Sequence, residues 1–487
     1  MKRIINSIIL ALLLISGSAF AQTDSLSYYL ELAAKNNPLL KSEFSLYQAS
    51  LQRIPQAGAY ADPQLEMGFF IKPMEILDGK QVADFKLMQM FPWFGTRKAA
   101  RNEATEMARM SFEKFRETKD KLFFDVKSTW YLLGNLQQRL HTVRQNRALL
   151  TVLKDLATSR FSAPGNQGTG AKAPSGGNLS SSQSNQASSG GMSGMGATGS
   201  STNGVAAVAT VSSSQSAGMG QMSGGSGMGG ASGGMSDVLR VQLEWIGLEN
   251  EEQNVLSEMT TAVARFNALL NRESTTPVDI PQTLVKREFL LDDQSVMELI
   301  RQQNPMLRMA DAEAEAYKAK LVMDKKMGLP MLGIGLQYSV ISKRMDMGIP
   351  VTEMNGKDML MPMVSLTIPL YRKKYSAQQK ESRLMRQAAE EKREGTLLTL
   401  SSEYVSVRQQ LADAGRKVRL YEQQAELAET TYQLAVKEFS AGKNGLTSVL
   451  EIQRQLLDYR FKRSEAIATF NTVVAMIENL VSEPQTN

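Results

Sequence analysis

The sequence predicts a mainly α protein with a small β part: long coiled-coil helices and four β-strands, arranged as two internal structural repeats. Three observations predict it. Short motifs recur in the same order in the two halves of the 487-residue chain. Apolar residues keep heptad spacing over stretches far longer than a lone surface helix needs. Between those stretches lie short segments that alternate with a period of two, as strands do.

At the N-terminus, Lys2 and Arg3 precede an apolar run from Ile4 to Ile15, then small residues up to Ala19-Phe20-Ala21. A charged head, a short apolar stretch and an A-x-A site read as a secretory signal peptide over 1–21, with a mature chain from Gln22. The sequence has no cysteine, so an exported chain of this kind depends on packing and assembly rather than disulfides. The net charge of +6 falls to +4 without Lys2 and Arg3, which suggests no nucleic-acid partner. Beyond the leader no run of about eighteen apolar residues occurs. A membrane location therefore requires a closed β-barrel, the alternative being a soluble periplasmic protein.

The repeats run from 22 to 272 and from 294 to 482, joined by a linker at 273–293 and followed by a tail at 483–487. Asn37-Pro38-Leu39-Leu40 recurs as Asn304-Pro305-Met306-Leu307. Phe91-Pro92-Trp93-Phe94 recurs as Ile368-Pro369-Leu370-Tyr371, and Phe161-Ser162-Ala163 as Phe439-Ser440-Ala441. Asp237-Val238-Leu239-Arg240-Val241-Gln242 recurs as Ser448-Val449-Leu450-Glu451-Ile452-Gln453.

The helical phase repeats as well. Val449, Ile452, Leu456, Tyr459, Ala466, Phe470, Val473, Ile477 and Leu480 keep heptad phase, broken at Arg463; Val238 to Leu269 match them, broken at Glu252. Before them, Leu400 to Phe439 run unbroken, whereas Leu122 to Phe161 are interrupted at Thr129, Arg147 and Lys154. No proline lies between Arg97 and Phe161 or between Arg372 and Phe439. Each stretch therefore predicts a helix of roughly 100 Å at about 1.5 Å per residue.

In the second repeat, Leu332, Ile334, Leu336, Tyr338 and Val340 alternate with small or polar residues, as do Leu360, Val364, Leu366 and Ile368 with Met361, Met363, Ser365 and Thr367. Weaker counterparts lie near Leu65–Ile71 and Phe85–Phe91. Apolar outside and polar or small inside is the transmembrane-barrel pattern, with Pro362 a blemish. Phe91, Trp93, Phe94 and Tyr371 collect at strand ends, suited either to an interfacial girdle or to corner packing. Small barrels close with about eight strands. Four strands per chain must be completed by other copies, and three copies would make a trimeric, 12-stranded transmembrane β-barrel below which the helices form an α-barrel.

In element order the chain resembles the TolC-like outer-membrane efflux family over nearly all of its mature length. The most specific stretch is Phe439-Ser440-Ala441-Gly442-Lys443 followed by Leu446 to Gln453. In that family this is the helix-turn-helix at the periplasmic tip, where an adaptor docks and inward carboxylates narrow the closed pore. The resemblance implies that Phe439, Gly442, Val449 and Leu450 belong to the adaptor-docking tip and that Glu451 is a gate acid, with Ser448 replacing a second acid. In the first repeat, Asp237 is the acid and Arg240 departs from the pattern. Three Glu451 side chains in a ring would suit a cation-selective constriction. Leu87 to Gly95 and Ala61-Asp62-Pro63 resemble the heavy-metal efflux branch.

The resemblance further implies a passive conduit in the outer membrane with a long periplasmic extension. Its partners would be two further copies, a periplasmic adaptor (membrane fusion protein), an inner-membrane proton-driven pump and outer-membrane lipid. No cofactor is expected. Multidrug export or type I protein secretion is the alternative cargo reading, and a periplasmic coiled-coil structural or adhesive protein is the alternative class.

The repeats differ mainly at one insert. Phe161 and Asp237 lie 76 positions apart, where Phe439 and Ser448 lie 9 apart. The insert, about 163–234, is rich in Gly, Ser, Ala and Met with Lys172 its only charge, a composition that predicts disorder. Met192, Met195, Met219, Met222, Met228 and Met235 are thioethers that could take Cu(I) or Ag(I) as transient cargo, or could do nothing in a tolerated linker. His141 is the sole histidine, and no catalytic set, P-loop or dinucleotide fingerprint is visible, so catalysis is not expected.

Overall fold

The structure is a computed structural model that describes residues 25–76, 79–162, 234–344, 353 and 355–482. The leader at 1–21, most of the insert, and the tail lie outside the described residues. Twelve elements follow one another: α1 (Ser25–Asn36), α2 (Pro38–Ala57), β1 (Gln64–Ile76), β2 (Gly79–Phe91), α3 (Thr96–Ser162), α4 (Gly234–Leu269), α5 (Asp293–Gln303), α6 (Pro305–Met327), β3 (Met331–Ser342), β4 (Met359–Thr367), α7 (Arg372–Ser440) and α8 (Leu446–Val481). The order helix, helix, strand, strand, long helix, shorter helix thus occurs twice, in a mainly helical chain with four strands.

The Asn-Pro pairs have a physical role. Asn37 caps α2 by accepting from the Leu39 and Leu40 amides at 3.0 and 3.1 Å, and Asn304 caps α6 by accepting from the Met306 amide at 2.9 Å. The following proline fills the first helical position, where an amide would have no partner. Each asparagine also donates to the end of a distant helix, Asn37 to the Leu269 carbonyl at 3.0 Å and Asn304 to the Leu480 carbonyl at 2.9 Å. The same residue closes the same junction in both halves.

α3 and α7 hold 67 and 69 residues. Leu122, Val126, Leu133, Leu136, Leu140, Val143, Leu150 and Ala157 are all buried on α3, and Leu400 through Phe439 line the buried face of α7. The interruptions read from the sequence resolve differently. Thr129 is buried with its hydroxyl donating to the Asp125 carbonyl at 2.8 Å. Lys154 is exposed because Leu153 takes the buried place beside it. Arg147 stays in the seam, paired with Glu252 of α4, which Arg144 also holds at 2.8 Å.

The four strands form one antiparallel sheet in the order β1-β2-β3-β4, so the two halves meet at β2 and β3. Register puts Leu65, Leu87, Leu336 and Pro362 in one row and Met67, Phe85, Tyr338 and Leu360 in another, on a single apolar face. Glu66, Lys86, Gln337 and Met361 form a row on the other face. Pro73 and Pro362 both sit in edge strands, where a missing ladder donor is tolerated. Among the described residues nothing pairs with the outer side of β1 or β4.

The linker between α4 and α5 is extended and pinned at several points. Asn471 accepts from the Arg287 amide at 2.8 Å and donates to the Val285 carbonyl at 2.9 Å, while Tyr29 accepts from the Asp279 amide at 2.9 Å. Leu284 packs so close to Gly134 that a Cβ there would lie 2.8 Å from its side chain. Glu478 binds Lys127 at 2.7 Å and Arg287 at 2.8 Å. Burial pushes the Glu478 carboxyl up, but Lys127 and then Arg287 outweigh it and hold the group below the ordinary carboxylate range.

Candidate functional site

Two places project chemistry outward: the turn between α7 and α8, and the sheet. The turn is built by glycine. Gly442 adopts φ 77°, the left-handed conformation that ends a helix most cheaply when no Cβ is present. Its amide donates to the Phe439 carbonyl at 3.0 Å and the Lys443 amide to the Glu438 carbonyl at 2.9 Å, the paired bonds of a Schellman ending. Asn444 then reaches back to Glu438 and forward to Ser448, each at 3.4 Å, before α8 begins at Leu446.

Of the expected docking residues, Phe439, Val449 and Leu450 are buried in the tip cluster with Leu446. Apolar side chains at this bend are drawn inward to shield the end of the helix pair. They shape the tip, and its accessible surface belongs to Ala441, Gly442, Lys443 and Thr447. All four residues that the resemblance assigns to the tip lie at this turn, and of them Gly442 alone is exposed.

The residues expected at a gate lie where α4 meets α8. On α8, Thr447, Glu451 and Arg454 follow one face; on α4, Asp237, Arg240 and Glu244 do the same. Arg240 donates to the Thr447 hydroxyl and Arg454 pairs with Glu244. The Glu244 carboxylate holds the Arg454 guanidinium firmly charged against the effect of burial, and Glu451 adds to it. Glu451 itself is exposed and Asp237 half-buried in the first turn of its helix. The arrangement is therefore a mixed-charge contact between two helices, and Glu451 has an arginine beside it. Sequence reasoning missed Glu244 and Arg454; the departure at Arg240 was the one visible hint.

Met235 is exposed at the start of α4. Met192, Met195, Met219, Met222 and Met228 lie outside the described residues. Among the described residues no group of three or more His, Cys, Asp or Glu side chains is placed to hold a metal ion. His141 is exposed on α3, its ring 2.8 Å from the Gln145 amide nitrogen.

At the sheet, the apolar face is exposed. Phe69, Val364 and Leu366 are each more than half accessible and Ile71 is fully so. Trp93, Phe94 and Tyr371 are also exposed at the strand ends of the single chain, with Trp93 edge-on against Phe94. Phe91 packs edge-on against Tyr60, over which Arg97 lies at 3.4 Å. No described helix is long and apolar enough to cross a membrane.

Comparison with known proteins follows from this geometry. Residues 296–469 match the family described as outer membrane efflux protein. No curated protein matches the sequence. Among solved structures, the outer membrane protein VceC from the bacterial pathogen Vibrio cholerae aligns with a TM-score of 0.63 at 12% identity, over 94% of this chain and 96% of that one. The open state of the Neisseria gonorrhoeae MtrE outer membrane channel aligns at 0.62 and 10%, over 94% and 88%. CusC, described by its folding and transmembrane channel formation, aligns at 0.64 and 11%, over 94% and 92%. At such identities the likeness is one of fold, and it extends over nearly the whole chain.

Proposed function

We propose that this chain, a TolC-like protein whose residues 296–469 carry the outer membrane efflux protein signature, is one third of a passive export channel through the outer membrane. The observation that carries the reading is the pair of open edges. Among the described residues β1 and β4 present unpaired ladders, which hydrocarbon would not tolerate, and the exposed apolar face suits lipid. Joining β4 of one copy to β1 of the next is a head-to-tail contact that closes into a ring. The helix layer is open in the same sense. It ends at α4 on one side and α7 on the other, with Leu239, Leu243 and Ile246 exposed on α4 and Leu420, Leu427 and Leu434 exposed at heptad spacing on α7.

In this reading the sheet lies in the outer membrane and the helices extend into the periplasm. Energy comes from an inner-membrane pump joined through an adaptor that docks at the Ala441–Lys443 turn. The mixed-charge contact of Arg240, Glu244, Thr447 and Arg454 keeps the helix tips together in the closed state. The finer reading is export of soft metal cations, supported by the methionines of the insert. A deletion strain equally tolerant of copper, silver, zinc and cobalt turns it to drug or peptide export.

The channel reading is tested on purified full-length protein. The expected result is a detergent-requiring particle with the mass of three copies that conducts ions across a planar bilayer. A monodisperse monomer in detergent-free buffer sinks it, and a periplasmic coiled-coil protein becomes the better account.

A further inference from the structure

A second set of soft donors lies on the polar face of the sheet, at the end nearest the helices. Met88 and Met90 are two apart on β2 and therefore share that face. Across β3 they oppose Gly335 and Gly333, and across β4 those glycines oppose Met363 and Ser365. The glycines leave a bare floor between β2 and β4. A Cβ on Gly333 would lie 2.1 Å from Ser365 Oγ, 2.7 Å from Met90 Sδ and 3.2 Å from Met88 Sδ. Both sulfurs thus fold over one glycine.

The Ser365 hydroxyl donates toward both, at 3.5 Å to Met88 Sδ and 3.7 Å to Met90 Sδ. Its oxygen lies within reach of both sulfurs, so a small electrophile held beside it could touch the two together. A methionine that only fills space buries its sulfur among hydrocarbon; these two are half-exposed and turned toward a common polar group.

We propose that Met88 and Met90, with Ser365 Oγ beside them and Met363 at the rim, bind a soft monovalent cation, Cu(I) or Ag(I). Thioethers select such ions over hard ones. The donors are neutral, so the site is weak by design of its chemistry, which suits a wall that ions must leave as readily as they reach it. The adjoining row carries Lys86, whose ammonium is offset by Glu66 at 3.5 Å. The proposal rests on the channel reading only for placing this face toward the conduit, where three copies would form a ring of sites at the base of the barrel.

The test uses full-length protein in detergent, labelled with carbon-13 at the methionine methyls and titrated with silver nitrate in chloride-free buffer. The Met88 and Met90 methyl signals, identified from M88L and M90L, are expected to shift together, and zinc nitrate is expected to leave them in place. The M88L/M90L variant is expected to assemble as the parent does and to lose this response. Should the double variant not assemble, M88L alone is expected to weaken the silver shift at Met90, and an undiminished shift there overturns the site. Silver leaving both methyls unmoved in an intact trimer likewise overturns the site and leaves the channel standing. A monomeric particle sinks the channel, while the two methyl shifts still judge the site.

Discussion

The two long helical hairpins bury comparable faces by different means. In the second, α7 lays Ala428, Tyr432, Ala435 and Phe439 against α8 in a largely apolar seam that one ion pair, Glu429 with Arg460, crosses. In the first, the seam between α3 and α4 is crossed by charge: Glu252 takes Arg144 and Arg147, Arg139 takes Glu251 at 2.7 Å, and Arg147 also lies 4.4 Å over the Trp245 ring. The apolar seam gains stability without specifying position closely. The charged one fixes which turn of α3 faces which turn of α4, since a slip by one turn would leave buried charges without partners.

The sharpest way to break this comparison is in the apolar seam. Phe439→Ala removes a ring that is 2% exposed and is expected to cost about 4 kcal/mol, from the lost transfer energy and the cavity left behind. Thermal unfolding of the detergent-solubilised protein checks it; an unchanged midpoint would mean that the tip cluster contributes little.

Next comes the charged seam. Glu252→Gln leaves Arg144 and Arg147 facing an uncharged amide, at a cost of about 2 kcal/mol. If pairing rather than packing matters here, adding Arg147→Met to that variant restores part of the loss. A double variant no better than the single one contradicts the account.

The smallest expected effect lies outside both seams, at the linker. Glu478→Gln is expected to cost about 1.5 kcal/mol at neutral pH, because Lys127 and Arg287 lose their shared carboxylate. The Glu478 carboxyl ionises more readily folded than unfolded. Its contribution is therefore complete above the unfolded value and fades as pH falls through the lower folded one. Parent and variant should differ at pH 7 and converge in acid. A gap that does not depend on pH would place the effect in packing instead.

These tests bear on what the sequence made readable. Heptad phase within one helix is a property of that helix, so the buried faces of α3, α7 and α8 were legible residue by residue. The partnership of Arg147 with Glu252 was not, because each appeared only as a break in its own pattern. Register across helices is set by three-dimensional packing that no single stretch encodes. The strands show the same limit. Alternation identified β3 and β4, and Met361 and Met363 stood on the inner face by count. The convergence of Met88 and Met90 over Gly333 depends on β2 pairing with β3, a contact between halves. At the tip, the family resemblance named the residues of the turn but not their exposure: a bend turns its apolar side chains inward, which left Phe439, Val449 and Leu450 inside.

The β2–β3 junction also constrains the order of events during folding. Gln81 pairs with Ile341, more than half the chain away, so the ladder cannot form until both halves have been made. Until then each half owns a lone two-stranded hairpin, too small to persist in water. Contacts between residues so distant along the chain form slowly, after the helices have found their neighbours. The helices therefore find their neighbours first, and joining the two hairpins into one sheet is the closing act.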